Sequence, residues 1–237
     1  MSEKPMATLQ YDKHIPEIVL PNSRSFRLTG SYSESDCILI YKSWDLLSRP
    51  KTLFRDNSVL FYPSAGYDLL TPTIVGLPFC TTFYFYECSG FPFTKIKMLQ
   101  QKLSLLSDDS RCSLSEHSNG CDYQFTHDNI VRNVYWVRGH NKSFLEKNVN
   151  LSMYFHRGDS PGEGGSGEYW DSEFLPQLAR MANSGTLRVV TQGQPGGINS
   201  RASKWLKEIS INNKSVMHRD GLYFIGEVST TALGEAK

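Results

Sequence analysis

VLFYPSAGYDLL, residues 59–70, is a run of β-forming residues that meets Pro63, Ser64, Ala65 and Gly66 without any intervening polar stretch. Together with Ser58 it gives a continuous apolar segment, 58–62, of the kind found in a strand covered on both faces. The break that follows has two readings. One is a plain strand-to-helix turn with Gly66 in left-handed backbone; the other is a modified small-molecule site at the carboxyl edge of a sheet. Thr71 and Pro72 have the chemistry of an N-cap and a first helical residue, which leaves Tyr67 and Asp68 in the loop.

Working outward, TTFYFYE (81–87) is a second apolar run of strand type, and VNLSMYFH (149–156) a third. CDYQFTHDN and VRNVYWVRG, around 121–126 and 131–138, also read as strands, without indicating which of them joins the main sheet. Helical spacing places Ile96, Leu99, Leu103 and Leu106 on one face of 93–106, and Trp170, Phe174, Leu178 and Met181 on one face of a helix that closes at Gly185. An earlier stripe of Ile40, Tyr41, Trp44 and Leu47 stops at Pro50. The second half of 103–120 reads as a solvated connection. TLRVVTQG is a further strand, SRASKWLKEI a short helix with Ser200 as its cap, and Asp220–Gly221 the turn of a closing hairpin. Strands separated by helices favour a parallel sheet. The expected fold is therefore α/β: a mostly parallel twisted sheet, helices on both faces, and a C-terminal antiparallel hairpin. Residues 1–54 are read as an N-terminal extension with a helix packing on the core, 55–230 as the α/β domain, and 231–237 as a tail.

Charge excludes some partners. Twenty-five Lys and Arg against 24 Asp and Glu, in 237 residues, leave a formal net charge of +1 and no field to gather nucleic acid or an anionic membrane. No stretch approaches the roughly 20 apolar residues of a membrane span, and MSEKPMATLQYDKH lacks a signal-peptide core. A cytoplasmic protein is expected, with a small molecule or a protein as partner. Five cysteines without a C-x-x-C pair, and six histidines without H-x-x-x-H or H-E-x-x-H spacing, suggest neither a disulfide framework nor a metal cluster.

The order strand, turn, helix, strand ending in an acid, further α/β units and a closing hairpin resembles the class I S-adenosylmethionine-dependent methyltransferase fold, over roughly residues 55–230. Where that family has G-x-G-x-G this chain has FYPSAGYD, with Gly66 the one glycine, and FYFYE supplies Glu87 at the end of the second strand. The resemblance implies S-adenosylmethionine or a related nucleoside as cofactor, held by Tyr62, Ser64, Gly66, Asp68 and Glu87. The spacing of Gly66 and Glu87 suits one βαβ unit whose carboxylate accepts ribose hydroxyls.

RGDSPGEGGSGEYWD, 157–171, sets Gly162, Gly164, Gly165 and Gly167 among Asp159, Glu163 and Glu168. In the methyltransferase-like topology this loop follows the fourth strand, where the family meets its substrate; Asp159 and Glu163 are the candidate bases. TQGQPGGINSR, 191–201, brings Gln192, Gln194 and Arg201 to the same edge. The alternative function is a non-catalytic relative that binds a protein, such as a regulator or a toxin-neutralising immunity protein.

Overall fold

The structure is a computed structural model. It describes residues 8–12, 15–19, 25–27, 58–65, 80–87, 112–127, 129–156, 174–182, 185–191, 206–208, 210–211, 214–215 and 224–229, with positions 69, 72, 73, 76, 77, 100, 103, 104 and 107. In chain order the strands are β1 (Thr8–Asp12), β2 (Ile15–Val19), β3 (Ser25–Arg27), β4 (Ser58–Tyr62), β5 (Thr82–Glu87), β6 (Ser113–His117) and β7 (Gly120–His127). They continue as β8 (Ile130–Arg138), β9 (Asn150–His156), β10 (Thr186–Thr191), β11 (Leu206–Glu208), β12 (Ser210–Ile211), β13 (Lys214–Ser215) and β14 (Phe224–Ser229). A 3₁₀ helix spans Asn141–Glu146, and helix α1 spans Phe174–Arg180.

Nine of these strands form one sheet, in the order β11-β14-β10-β9-β4-β5-β8-β7-β6. β4 pairs in parallel with both β5 and β9, β5 with β8, and β9 with β10. The five carboxyl ends therefore share one edge. β14 enters antiparallel between β10 and β11, so the expected antiparallel strand is present, with these two strands as its partners among the described residues; Ser215, from the run before Asp220–Gly221, pairs with Ser210 instead. β1, β2 and β3 form a separate antiparallel sheet.

All five residues of β4 are buried, as the unbroken apolar run requires. Pairing sorts them onto two faces. On one, Leu60 and Tyr62 lie beside Phe83 and Phe85 of β5, which lie beside Val134 and Trp136 of β8. On the other, Val59 and Phe61 enter a core with Tyr86, Tyr154, Phe144 and the buried side of α1, Phe174, Leu175, Leu178 and Ala179. Pro176 falls in the first turn of α1, where its missing N–H leaves no helical bond unmade. Residues Pro72, Thr73 and Gly76 are helical on the opposite face, so helices cover both sides of the sheet. At Gly76 a Cβ would stand 2.7 Å from Phe83 and 2.8 Å from Leu60, a close helix-on-sheet approach that a larger residue would push apart.

Several expectations change. Leu206–Glu208, read as part of a short helix capped by Ser200, is strand β11, held by the ladder it makes with β14. Residues 113–117 are an edge strand, not an irregular connection, although four of the five are exposed. β7 and β8 both join the main sheet as a hairpin, turning at Asn129 with φ 61°. Gly185 does adopt left-handed backbone (φ 74°), but five residues past the end of α1, where its N–H meets the carbonyl of Ala182. Tyr84 is only half-buried, so β5 is not fully covered on both faces. The helix expected around 40–47, most of 93–106, and the turn at Asp220–Gly221 lie outside the described residues.

Candidate functional site

The sheet reverses its winding at β4: the chain proceeds to β5 and β8 on one side and returns to β9 and β10 on the other. In open α/β sheets such a switch point leaves a crevice beyond the carboxyl ends of the two central strands, and ligands occupy it. Here those ends are Tyr62 of β4 and His156 of β9, and Thr191 closes β10 in register with His156.

Pro63, Ser64 and Ala65 turn away from β4 at this rim. Within this turn Ser64 has left-handed backbone, φ 51°, a conformation that L side chains disfavour. Two long-range contacts hold it. The Ser64 N–H donates to Asn141 Oδ1 at 3.3 Å, and Asn141 Nδ2 donates to Ser64 Oγ at 3.2 Å. Next, the Ala65 N–H donates to the carbonyl of Tyr86 at 2.9 Å, which draws the turn against the end of β5, one residue before Glu87. Two of the sequence-derived elements, the turn and the terminal acid of the second strand, are thus neighbours. Glu87 is half-buried and pairs in register with Arg138 of β8. The carbonyl of Glu87 accepts the N–H of Gly139.

Tyr62 is buried at the rim, with its ring edge-on to Phe155 at 5.0 Å and to Phe85 at 6.2 Å. Gly66, Asp68, Asp159, Glu163, Gln192, Gln194 and Arg201 lie outside the described residues. His156, which the sequence reading used only as the end of a strand, is wholly buried at the switch point with its ring 5.9 Å from Tyr154. Asn141 was not singled out either; a polar residue after a strand gives no local sign that its partner is 77 residues away.

Two tyrosines of β5 have raised phenols. Burial is the main cause that raises Tyr86, against a smaller lowering by its hydrogen bond with Ser143. Burial, with Tyr135, Tyr86 and Asp122 adding to it, pushes Tyr84 up to about 12. A small, mostly apolar pocket lies elsewhere, beneath the β6–β7 hairpin against Leu103, Tyr123 and Trp136. Among the described residues no group of three or more His, Cys, Asp or Glu side chains is arranged to hold a metal, and no helix is long and apolar enough to cross a membrane.

The parallel centre, the switch point and the inserted antiparallel β14 define a class I methyltransferase-like α/β fold. Among solved structures the chain is similar to a SAM-dependent methyltransferase from Agrobacterium tumefaciens, at 7% identity and a TM-score of 0.45, over 97% of this chain and 72% of that one. It is also similar to precorrin-6y C5,15-methyltransferase from Geobacter metallireducens, at 11% identity and 0.45, over 84% and 92% of the two chains. A third is M. capricolum TrmK in complex with S-adenosyl-homocysteine, at 9% and 0.39, over 85% and 68%. No protein-family model and no curated protein matches the sequence.

Proposed function

We propose that the rim at the β4–β9 switch point binds S-adenosylmethionine or a related nucleoside, and that the protein is a methyltransferase with an atypical cofactor turn. The observation that carries this reading is the position of the turn 63–65 and of Glu87, side by side at the carboxyl edge where the strand order reverses. In this reading Glu87 accepts the ribose hydroxyls, while Ser64, Gly66 and Asp68 line the turn and Tyr62 supports it from beneath. Asp68, as a carboxylate, accepts from the α-amino group of the methionine part. Methyl transfer depends chiefly on holding an acceptor in line with the sulfonium, so it requires few catalytic side chains. The acceptor approaches along the loop that follows His156, with Asp159 or Glu163 as the base if the acceptor must lose a proton.

Isothermal calorimetry of the full chain with S-adenosylmethionine and S-adenosyl-homocysteine tests the reading. Saturable heat with one site is the expected result. A flat titration at millimolar ligand removes it.

A further inference from the structure

The rim turn adopts its shape without the glycines that usually permit such a turn, and the structure shows what replaces them. Ser64, a residue with a Cβ, sits at φ 51°. Asn141, 1% exposed, meets both its N–H and its hydroxyl. Asn141 heads the 3₁₀ helix 141–146, and three residues on, Phe144 stacks face to face on Phe61 with centroids 3.9 Å apart and planes 2° apart. Positions three apart in a 3₁₀ helix lie on one face. The same helical face therefore grips Phe61 inside β4 and Ser64 beyond its end. Phe144 fixes the helix on the core, and Asn141 reaches the turn from that fixed base.

The grip also uses up donors. Nucleotide phosphates are held at such turns by free backbone amides. Here the Ser64 amide serves Asn141 and the Ala65 amide serves the Tyr86 carbonyl.

We infer that Asn141 is a positioning residue, which locks the turn after β4 in the left-handed conformation at Ser64 and, with Tyr86, closes the turn's first two amides to oxyanions, so that this part of the rim accepts a nucleoside but not a phosphate. The ligand-class part of this inference rests on the nucleoside reading; the lock does not.

The experiment is amide NMR on the full chain, wild type against Asn141→Ala and Asn141→Asp, with inorganic pyrophosphate and S-adenosyl-homocysteine as separate probes. In the wild type the Ser64 and Ala65 amides are expected to exchange slowly and to stay unshifted by millimolar pyrophosphate. Asn141→Ala should speed Ser64 exchange about tenfold or more, the loss of roughly one hydrogen bond, while Phe125 in the distant β7 stays protected. Asn141→Asp keeps the oxygen that accepts from Ser64 and should restore the protection, which general loosening of the fold would not allow. Equal Ser64 exchange in wild type and Asn141→Ala overturns the lock, and pyrophosphate shifts at Ser64 and Ala65 in the wild type overturn the closure. Should the alanine variant fail to fold, the wild-type pyrophosphate titration decides. Slow Ser64 exchange with no response to S-adenosyl-homocysteine leaves the lock standing and removes the nucleoside reading alone.

Discussion

Strand β4 and the edge strand β6 belong to one sheet and are equally long, yet β4 buries all five residues and β6 exposes four. Strand β7, beside β6, alternates: Cys121, Tyr123, Phe125 and His127 are buried, while Gln124 between them is exposed. The centre of the sheet is packed from both faces and its carboxyl end carries the candidate site. The hairpin has one packed face and one open to water. Side chains at the centre should therefore be expensive to change in stability and ligand binding together, whereas the open hairpin face should tolerate change.

Phe61→Ala should give the largest loss. Its ring contacts Phe144, Tyr86, Tyr154 and Phe174, and removing a ring so enclosed costs about 3–5 kcal/mol. Chemical denaturation should show that drop; a loss below 1 kcal/mol would mean the centre is no better packed than the edge.

Gly76→Ala comes next. Its new methyl would press on Leu60 and Phe83, both buried, and overpacking of this kind costs about 1–3 kcal/mol. An unchanged or raised melting temperature would show that the helix after the turn is not seated tightly on the sheet.

The thiols extend the contrast to pH. Burial is the main cause that pushes Cys80 from the ordinary 9.0 up to about 12, against smaller lowering by Arg132 and Arg188; Arg132 Nη1 donates to the Cys80 carbonyl at 2.7 Å. The unfolded chain releases this proton from about pH 9 while the folded chain keeps it to about pH 12. The thiol's contribution is therefore complete below 9 and is lost as pH rises from 9 to 12, by about 1 kcal/mol between pH 9 and 10. Cys121, also buried, is raised to about 12 by burial, Asp122 and Glu116. Peptide-resolved alkylation at pH 8 should modify half-buried Cys112 in the native protein and spare Cys80 and Cys121 until denaturant is added. Equal labelling of all three would contradict the packing.

The smallest effect belongs to the open face of the hairpin. Gln124→Ala removes an exposed hydrogen bond to Asn133 of 2.9 Å and should change stability by less than about 0.5 kcal/mol. A larger change would show that this face is covered in the working protein.

The same contrast explains what the sequence revealed. Strands β4, β5, β9 and β10 are apolar runs, so their succession along the chain and the fold class were legible, whereas β8 was legible as a strand but its place beside β5 was not. SLSEH carries no such mark. Strand β6 exists because β7 offers it a ladder, and an edge strand open to water needs no apolar alternation. SRASKWLKEI reads as a short helix, but three of its residues are drawn into the sheet by β14, a tertiary contact that outweighs local preference. At the candidate site the rim was legible as a strand that breaks, together with the acid that ends the next strand. The agent that shapes the turn was not legible: the left-handed backbone falls on Ser64 and its partner Asn141 is far away in sequence. His156 was hidden for a different reason, since a histidine that ends an apolar run looks like the edge of a core until the strand order places it at the switch point.

The central proposal is that the nucleoside sits at the rim between β4 and β9. Titrating S-adenosyl-homocysteine into the isotope-labelled full chain and following backbone amides measures this most directly. Saturable shifts at Ser64, Ala65, Glu87 and His156, with the amides of 113–127 unmoved, are the predicted result; shifts confined to the hairpin, or none at millimolar ligand, would contradict it.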